Sequence, residues 1–191
     1  MKILYFDTET TGLDPIKNDI LTIGGIIEID GEIKEKFYLE MQPSNYENIS
    51  KEALDINGLD LKIIKTWMAP RLAYKQLTYI FSKYINKYDK KDKFLCVGHN
   101  VKFDIDFLSQ LFLKNGDKYL GAFIDYHFLD TMVILNIMLY KKAIEIKNCK
   151  LVTACEKYGI ELDAHNAMND ITATRELFLK LTNKIKFEEI K

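Results

Sequence analysis

Residues 2–12 read KILYFDTETTG, and this stretch decides the fold. The apolar, β-prone run from Lys2 to Phe6 predicts a central strand that passes straight into the acidic, threonine-rich segment Asp7 to Thr11 before Gly12 breaks the pattern. Asp7 and Glu9 are two apart, so on a strand both carboxylates point to the same face. Two carboxylates sharing a face at the end of an apolar strand repel each other and resist desolvation unless a cation sits between them. Oxygen-only donors favour Mg²⁺ or Mn²⁺ over zinc. Taken alone, the pair is equally compatible with ordinary charges at a strand end frayed into solvent.

Working outward, Ile20–Ile29 is a second β-branched run, Asp30-Gly31 a two-residue hairpin signal, and about Ile33 to Met41 a third strand. Pro70 suits a first helical turn, and Leu72, Ala73, Leu77, Ile80, Phe81, Tyr84 and Ile85 recur at three and four, predicting an amphipathic helix. The charged run Lys87–Lys93 reads as a solvated loop leading to a short buried strand, Phe94–Val97. A helix over Val101–Lys114, a strand over about Ala122 to Leu129, and helical segments near Thr131–Tyr140, Cys149–Tyr158 and Asn169–Ile185 complete the pattern. Strands that come first in a block and then alternate with helices predict an α/β fold with a mixed sheet. With no internal repeat and no Pro/Gly/Ser linker, a single domain over residues 1–186 is expected, followed by a short tail at 187–191.

Composition narrows the function classes. The 191 residues are 48% hydrophobic, including 11 Tyr and 11 Phe, which is enough apolar surface to fold without help. Lys plus Arg number 27 against 28 Asp plus Glu, a net charge of −1, so no overall field draws in polyanions. No apolar run is long enough to span a membrane, and Asp7 and Glu9 stand where a secretory signal would need apolar residues, so a soluble, cytoplasmic protein with no membrane partner is expected. Cys96, Cys149 and Cys155 show no C-x-x-C pairing and read as thiols in a reducing compartment.

Three further polar residues require explanation. In the helix from Val101, the residues Val101, Ile105, Leu108 and Phe112 form an inward face, and Asp104 lies on its edge beside Leu111. Asp106 falls on the opposite side as a surface charge. Asp170 lines up with Thr174, Leu177 and Leu181, the apolar stripe of the last helix, where the alternative is a first-turn acid favoured by the helix dipole. His165 stands five residues earlier in a loop, and its weight comes from that spacing.

Together, FDTETTGLDP at residues 6–15, HNVKFDIDFL at 99–108 and HNAMNDITAT at 165–174 resemble the three motifs of the DnaQ-like, or DEDDh, family of 3′-to-5′ exonucleases, which includes the epsilon-type proofreading subunits of DNA polymerase III. The resemblance covers nearly the whole chain. It implies a ribonuclease H-like fold with a five-stranded mixed sheet flanked by helices. It also implies that Asp7, Glu9, Asp104 and Asp170 are catalytic acids holding two divalent cations, Mg²⁺ or Mn²⁺, with His165 as general base. Position 166 is Asn, so the chain resembles the histidine subclass rather than the tyrosine one.

The resemblance further implies substrate-binding roles for Thr8, Thr11, Gly12 and Leu13 in the turn beside the terminal nucleotide, with Gly12 allowing close backbone approach and Leu13 offering an apolar wedge. Thr10 reads better as part of an ordinary strand-ending turn. Asn100 and Phe103 look like further site-shaping residues, His165 reaches the substrate as well, and Asp130 resembles a supporting acid whose plainer reading is a helix N-cap. Asn57 departs from the family pattern, which often has His there. The expected reaction releases nucleoside 5′-monophosphates from a single-stranded or frayed 3′ end, in proofreading or repair, alone or as a compact subunit of a DNA polymerase. Rival readings are an RNA-trimming exoribonuclease and a catalytically silent nucleic-acid-binding subunit. The segment QLFLK at 110–114 faintly resembles a clamp-binding peptide, but Leu111 and Phe112 are expected in the core.

Overall fold

A computed structural model of the chain describes residues 1–163 and 166–184. Five strands, β1 (Lys2–Thr10), β2 (Ile20–Ile29), β3 (Glu32–Glu40), β4 (Phe94–Gly98) and β5 (Ile124–Asp130), form one sheet in the order β3-β2-β1-β4-β5. β1 pairs antiparallel with β2 and parallel with β4, so the sheet is mixed and its first strand is central. The hairpin falls at Asp30-Gly31, both with positive φ (52° and 86°), and pairs Ile29 with Glu32, the geometry that a twisted two-residue hairpin needs.

The helices are α1 (Lys51–Asn57), α2 (Leu61–Ile64), α3 (Pro70–Ser82), α4 (Val101–Lys114), α5 (Thr131–Tyr140), α6 (Leu151–Tyr158) and α7 (Ala167–Thr182). Those over Val101–Lys114 and Thr131–Tyr140 keep their predicted bounds. α3 stops at Ser82, three residues short of the expected end, and the turn that follows still buries Ile85. α6 starts at Leu151 rather than Cys149, because the Asn148 side chain accepts from Lys150 N and from the Thr153 hydroxyl in the turn before it. α7 starts at Ala167, two residues before the expected Asn169, because Asn166 caps it. Ala122 closes a 3₁₀ turn instead of opening β5. The expected boundary at residue 186 lies outside the described residues.

Alternation along β1 sorts the core into two layers. Leu4 and Phe6 pack with α3 and α4 in the larger cluster, where Phe81 stands 5.6 Å from Phe94 and 5.8 Å from Phe123 between ring centroids. Tyr5 points the other way, with Ile26, Val97, Ile171 and Phe178, under α7. β2 is buried from Ile20 to Glu28, as a strand covered on both faces must be. α4 turns a wider face inward than the spacing suggests: Phe107 and Leu111 join Val101, Leu108 and Phe112 in the core, while Ile105 is half-buried. In the segment QLFLK, Leu111 and Phe112 therefore lie in the core, whereas Leu113 is exposed. Among the described residues no helix is long and apolar enough to cross a membrane.

Candidate active site

The two layers converge at the C-terminal end of β1. Asp7 and Glu9 continue the odd-numbered series of Tyr5 and point toward α7, whereas Thr8 continues Leu4 and Phe6 and points toward α4. One carboxylate oxygen from each of Asp7, Glu9 and Asp170 lies within 4.8 Å of the others, and among the described residues this is the one acid cluster with such convergence. Oxygen donors this close fit a divalent cation.

Asp104 stands behind this trio. It is only 3% exposed, and its Oδ1 accepts from the Thr8 backbone N–H (3.0 Å) and the Thr8 hydroxyl (2.7 Å). Thr8, expected to touch substrate, thus has its hydroxyl committed to Asp104, because the pleat turns it to the α4 side. Asp106 pairs on the surface with Lys102 at 2.6 Å.

The electrostatics record the crowding. Burial first, then the charges of Asp104, Glu9 and Asp170, push the Asp7 carboxyl well above the usual carboxylate range. Burial and Asp170 raise Glu9 to about 7. Burial raises Asp104 to about 7 against the pull of the Thr8 bonds, with Glu9 adding to the rise.

The start of α4 is pinned by a carboxylate. Asp130, at the end of β5, accepts from Met132 N (2.8 Å) as the cap of α5, and also from Asn100 N (3.0 Å) and Val101 N (3.1 Å). Cap and support are therefore one role. Asn100 holds a left-handed φ of 64° and makes no side-chain cap bond, so its amide does not cap the helix. Phe103 is half-buried and lies 4.7 Å from Phe107 between centroids.

The start of α7 is placed by shape. Gly24 lies opposite Asp7 on β2, and a Cβ there would stand 2.7 Å from the Ala167 carbonyl and 2.8 Å from Met168 N. The missing side chain lets the first turn of α7 press on the sheet beside Asp7, one turn before Asp170. Farther along, Arg175 Nε donates to Glu28 at 2.8 Å and its guanidinium lies 5.7 Å from the Tyr5 ring, tying α7 to β2. Sequence reasoning missed Gly24, Glu28 and Arg175. The one available signal was Gly24-Gly25 inside an apolar strand.

The turn after β1 is built as a rim. The Thr10 hydroxyl donates to Gly12 O (2.7 Å), the strand-ending role expected of it. Thr11 is fully buried and its hydroxyl accepts from Asp19 N (2.9 Å). A Cβ on Gly12 would meet the Asn18 side chain at 2.6 Å, so the close approach that Gly12 permits is from within the chain. Leu13 is 86% exposed, free to act as a wedge. Asn57 donates to Thr10 O at 3.2 Å and braces this turn. His165 lies outside the described residues.

The exonuclease family model matches residues 4–178. A PolC-type DNA polymerase III from Caldanaerobacter subterraneus subsp. tengcongensis is 30% identical over 187 residues, covering 97% of this chain and 12% of that protein. Ribonuclease T from Wigglesworthia glossinidia brevipalpis is 29% identical, with 96% of this chain and 85% of that protein aligned. The chain thus spans about an eighth of the length of the PolC-type relatives. A solved structure of E. coli exonuclease I with a dT13 oligonucleotide matches the fold at a TM-score of 0.76 and 19% identity, covering 96% of this chain and 41% of that one.

Proposed function

The chain belongs to the exonuclease family, and from that membership we propose that it is a metal-dependent 3′-to-5′ exonuclease that releases nucleoside 5′-monophosphates from single-stranded nucleic acid. The observation that carries this reading is the convergence of Asp7, Glu9 and Asp170 within 4.8 Å at the end of the central strand, backed by buried Asp104. Acids so crowded and so raised in pKa are costly to the fold unless cations pair with them.

Asp7, Glu9, Asp104 and Asp170 would hold two divalent cations, Mg²⁺ or Mn²⁺. When bound, such cations supply neutralisation of phosphodiester charge and a water acidic enough to attack at neutral pH. The protein's own part is positioning. Thr8 fixes the rotamer of Asp104 through two hydrogen bonds, Asp130 fixes the helix that carries it, and Gly24 sets the depth of the helix that carries Asp170. His165 is assigned as the general base, a role suited to a group titrating near neutrality. Exposed Leu13 separates the terminal base from its neighbour, half-buried Phe103 offers a ring edge beside it, and Thr11, Gly12 and Asn100 shape the backbone around the terminal sugar and phosphate.

Similarity to PolC-type polymerases supports a DNA substrate and work beside a polymerase in proofreading or repair. Similarity to ribonuclease T over most of its length supports an RNA-trimming reading. End-labelled DNA and RNA oligonucleotides incubated with Mg²⁺ or Mn²⁺ test both readings. The expected result is stepwise shortening from the 3′ end, abolished in Asp7→Ala and strongly slowed in His165→Ala, with the DNA-to-RNA rate ratio choosing the substrate. Internal cuts, or no cleavage of either polymer by folded protein, would contradict it.

A further inference from the structure

A hollow of about 510 Å³ on the outer side of α3 shares no residue with the acid cluster. Its rim is aromatic to an extent that a solvent-facing surface does not require: Tyr79, Tyr88 and Tyr119 are 67%, 85% and 65% exposed. Each of these rings has its own lysine. Lys83 Nζ, which also pairs with Glu35 at 2.8 Å, lies 5.2 Å from the Tyr79 centroid, and the ammonium groups of Lys87 and Lys118 lie 5.3 Å from Tyr88 and 5.6 Å from Tyr119. The floor is apolar, from Ala122 and Phe123, and rigid, because the Tyr74 hydroxyl donates to Asp117 at 2.7 Å. Asp117 also accepts from Tyr119 N, so both of its carboxylate oxygens are hydrogen-bonded within the wall.

The charged run Lys87–Lys93, which the catalytic site does not use, borders this hollow. Its acids make local bonds: half-buried Asp92 takes the Lys2 ammonium and Asn86 N, and exposed Asp89 takes Lys91 N. Of its lysines, Lys87 lines the hollow and Lys90 and Lys91 are exposed, whereas Lys93 donates to Gly121 O. Paired ring faces and ammonium groups are what a single strand of nucleic acid needs, rings for the bases and cations for the phosphates. A volume of this size matches a nucleotide-scale ligand.

We propose that this hollow is a second, non-catalytic site that holds a stretch of the single-stranded substrate away from its 3′ end, by stacking bases on Tyr79, Tyr88 and Tyr119. The inference rests on the nuclease reading given above. Lys2 Nζ donates to Tyr84 O, so the segment after α3 lies at the start of β1, whereas Asp7 lies five residues on, roughly 17 Å away along the strand. Only an oligonucleotide long enough to span that distance engages both sites. The consequence is affinity that grows with strand length.

The test is fluorescence anisotropy in EDTA with 5′-labelled oligothymidylates of about 4 and about 20 nucleotides. The wild type is compared with Tyr79→Ala/Tyr119→Ala and with Tyr79→Phe/Tyr119→Phe, and melting temperatures confirm folding. The expected result is long-oligonucleotide binding weakened about tenfold or more by the alanine pair, preserved by the phenylalanine pair, and short-oligonucleotide binding unchanged. Unchanged long-strand affinity in the alanine pair, equal losses on both lengths, or no length dependence in the wild type would overturn the proposal. Cleavage of the short oligonucleotide with Mn²⁺ is read on the same proteins. Its persistence alongside any of those outcomes removes the second site alone, whereas its absence in the wild type removes the nuclease reading.

Discussion

The helices that carry the two inner acids begin in different ways. α4 is set by charge: Asp130 gathers the N–H groups of Asn100 and Val101 at a strand end, and Thr8 then takes hold of Asp104 itself. α7 is set by shape: Asn166 caps it locally, and Gly24 lets its backbone rest against the sheet opposite Asp7. One half of the site is thus preorganised by hydrogen bonds to a buried carboxylate, and the other by the absence of a side chain. The difference teaches that the two halves fail differently. The α4 side weakens by degrees when a bond is removed, whereas the α7 side is displaced as a unit.

The largest effect belongs to the residue both halves share. Asp7→Asn removes the charge that faces Asp104, Glu9 and Asp170, and exonuclease rate on labelled oligonucleotides is expected to fall by about 10³-fold or more. The same change removes a buried repulsion, so in EDTA the variant is expected to melt higher than the wild type, at about 2–4 °C for each kcal/mol relieved. Next comes Gly24→Ala. A Cβ at 2.7 Å from backbone cannot be accommodated by rotating a side chain, so α7 must move and Asp170 with it. A shift of that scale is expected to cost about 10²-fold in rate while circular dichroism stays unchanged. A wild-type rate in this variant would break the claim that shape sets the α7 side.

Asp130→Asn probes the other half more gently. It keeps size but removes the charge that gathers three N–H groups, and the Mn²⁺ concentration giving half-maximal rate is expected to rise about tenfold to 100-fold with a smaller change in maximal rate. A pure loss of stability with unchanged metal dependence would deny Asp130 its positioning role. The smallest effect is expected from Asp106→Ala, which removes an exposed ion pair with Lys102 two residues from Asp104. Activity within twofold of wild type and an unshifted melting temperature would sharpen the distinction between the inward and outward acids of α4.

Much of this was legible before the structure. The alternation in residues 2–9 fixed the facing of Asp7 and Glu9, and the helical spacing from Val101 put Asp104 inward and Asp106 outward. α1 and α2 went unread because each buries a single apolar residue, Leu54 or Ile64, too few for a periodicity, although Ser50, Gly58 and Asp60 are cap residues that bound them. The supports of the site were hidden for a different reason. Gly24 against Ala167, and Arg175 on Glu28, join positions more than a hundred residues apart, which only the packing of α7 on the sheet brings together. The bond from Thr8 to Asp104 is not legible in the sequence, because the position of α4 over the even-numbered face of β1 is a tertiary fact.

The central claim is that this fold tolerates its crowded acids because cations pair with them, and the pH dependence of melting with and without Mn²⁺ tests it most directly. A carboxyl whose folded-state pKa is raised keeps a proton that the unfolded chain has already released, so its contribution to stability falls as pH rises between the two values. For Glu9 that window runs from 4.5 to about 7, for Asp104 from 3.8 to about 7, and Asp7 shifts in the same direction. In EDTA the melting temperature is therefore expected to decline as pH rises through this window, and saturating Mn²⁺ is expected to abolish or reverse the decline. The same pH slope with and without the metal would contradict the account.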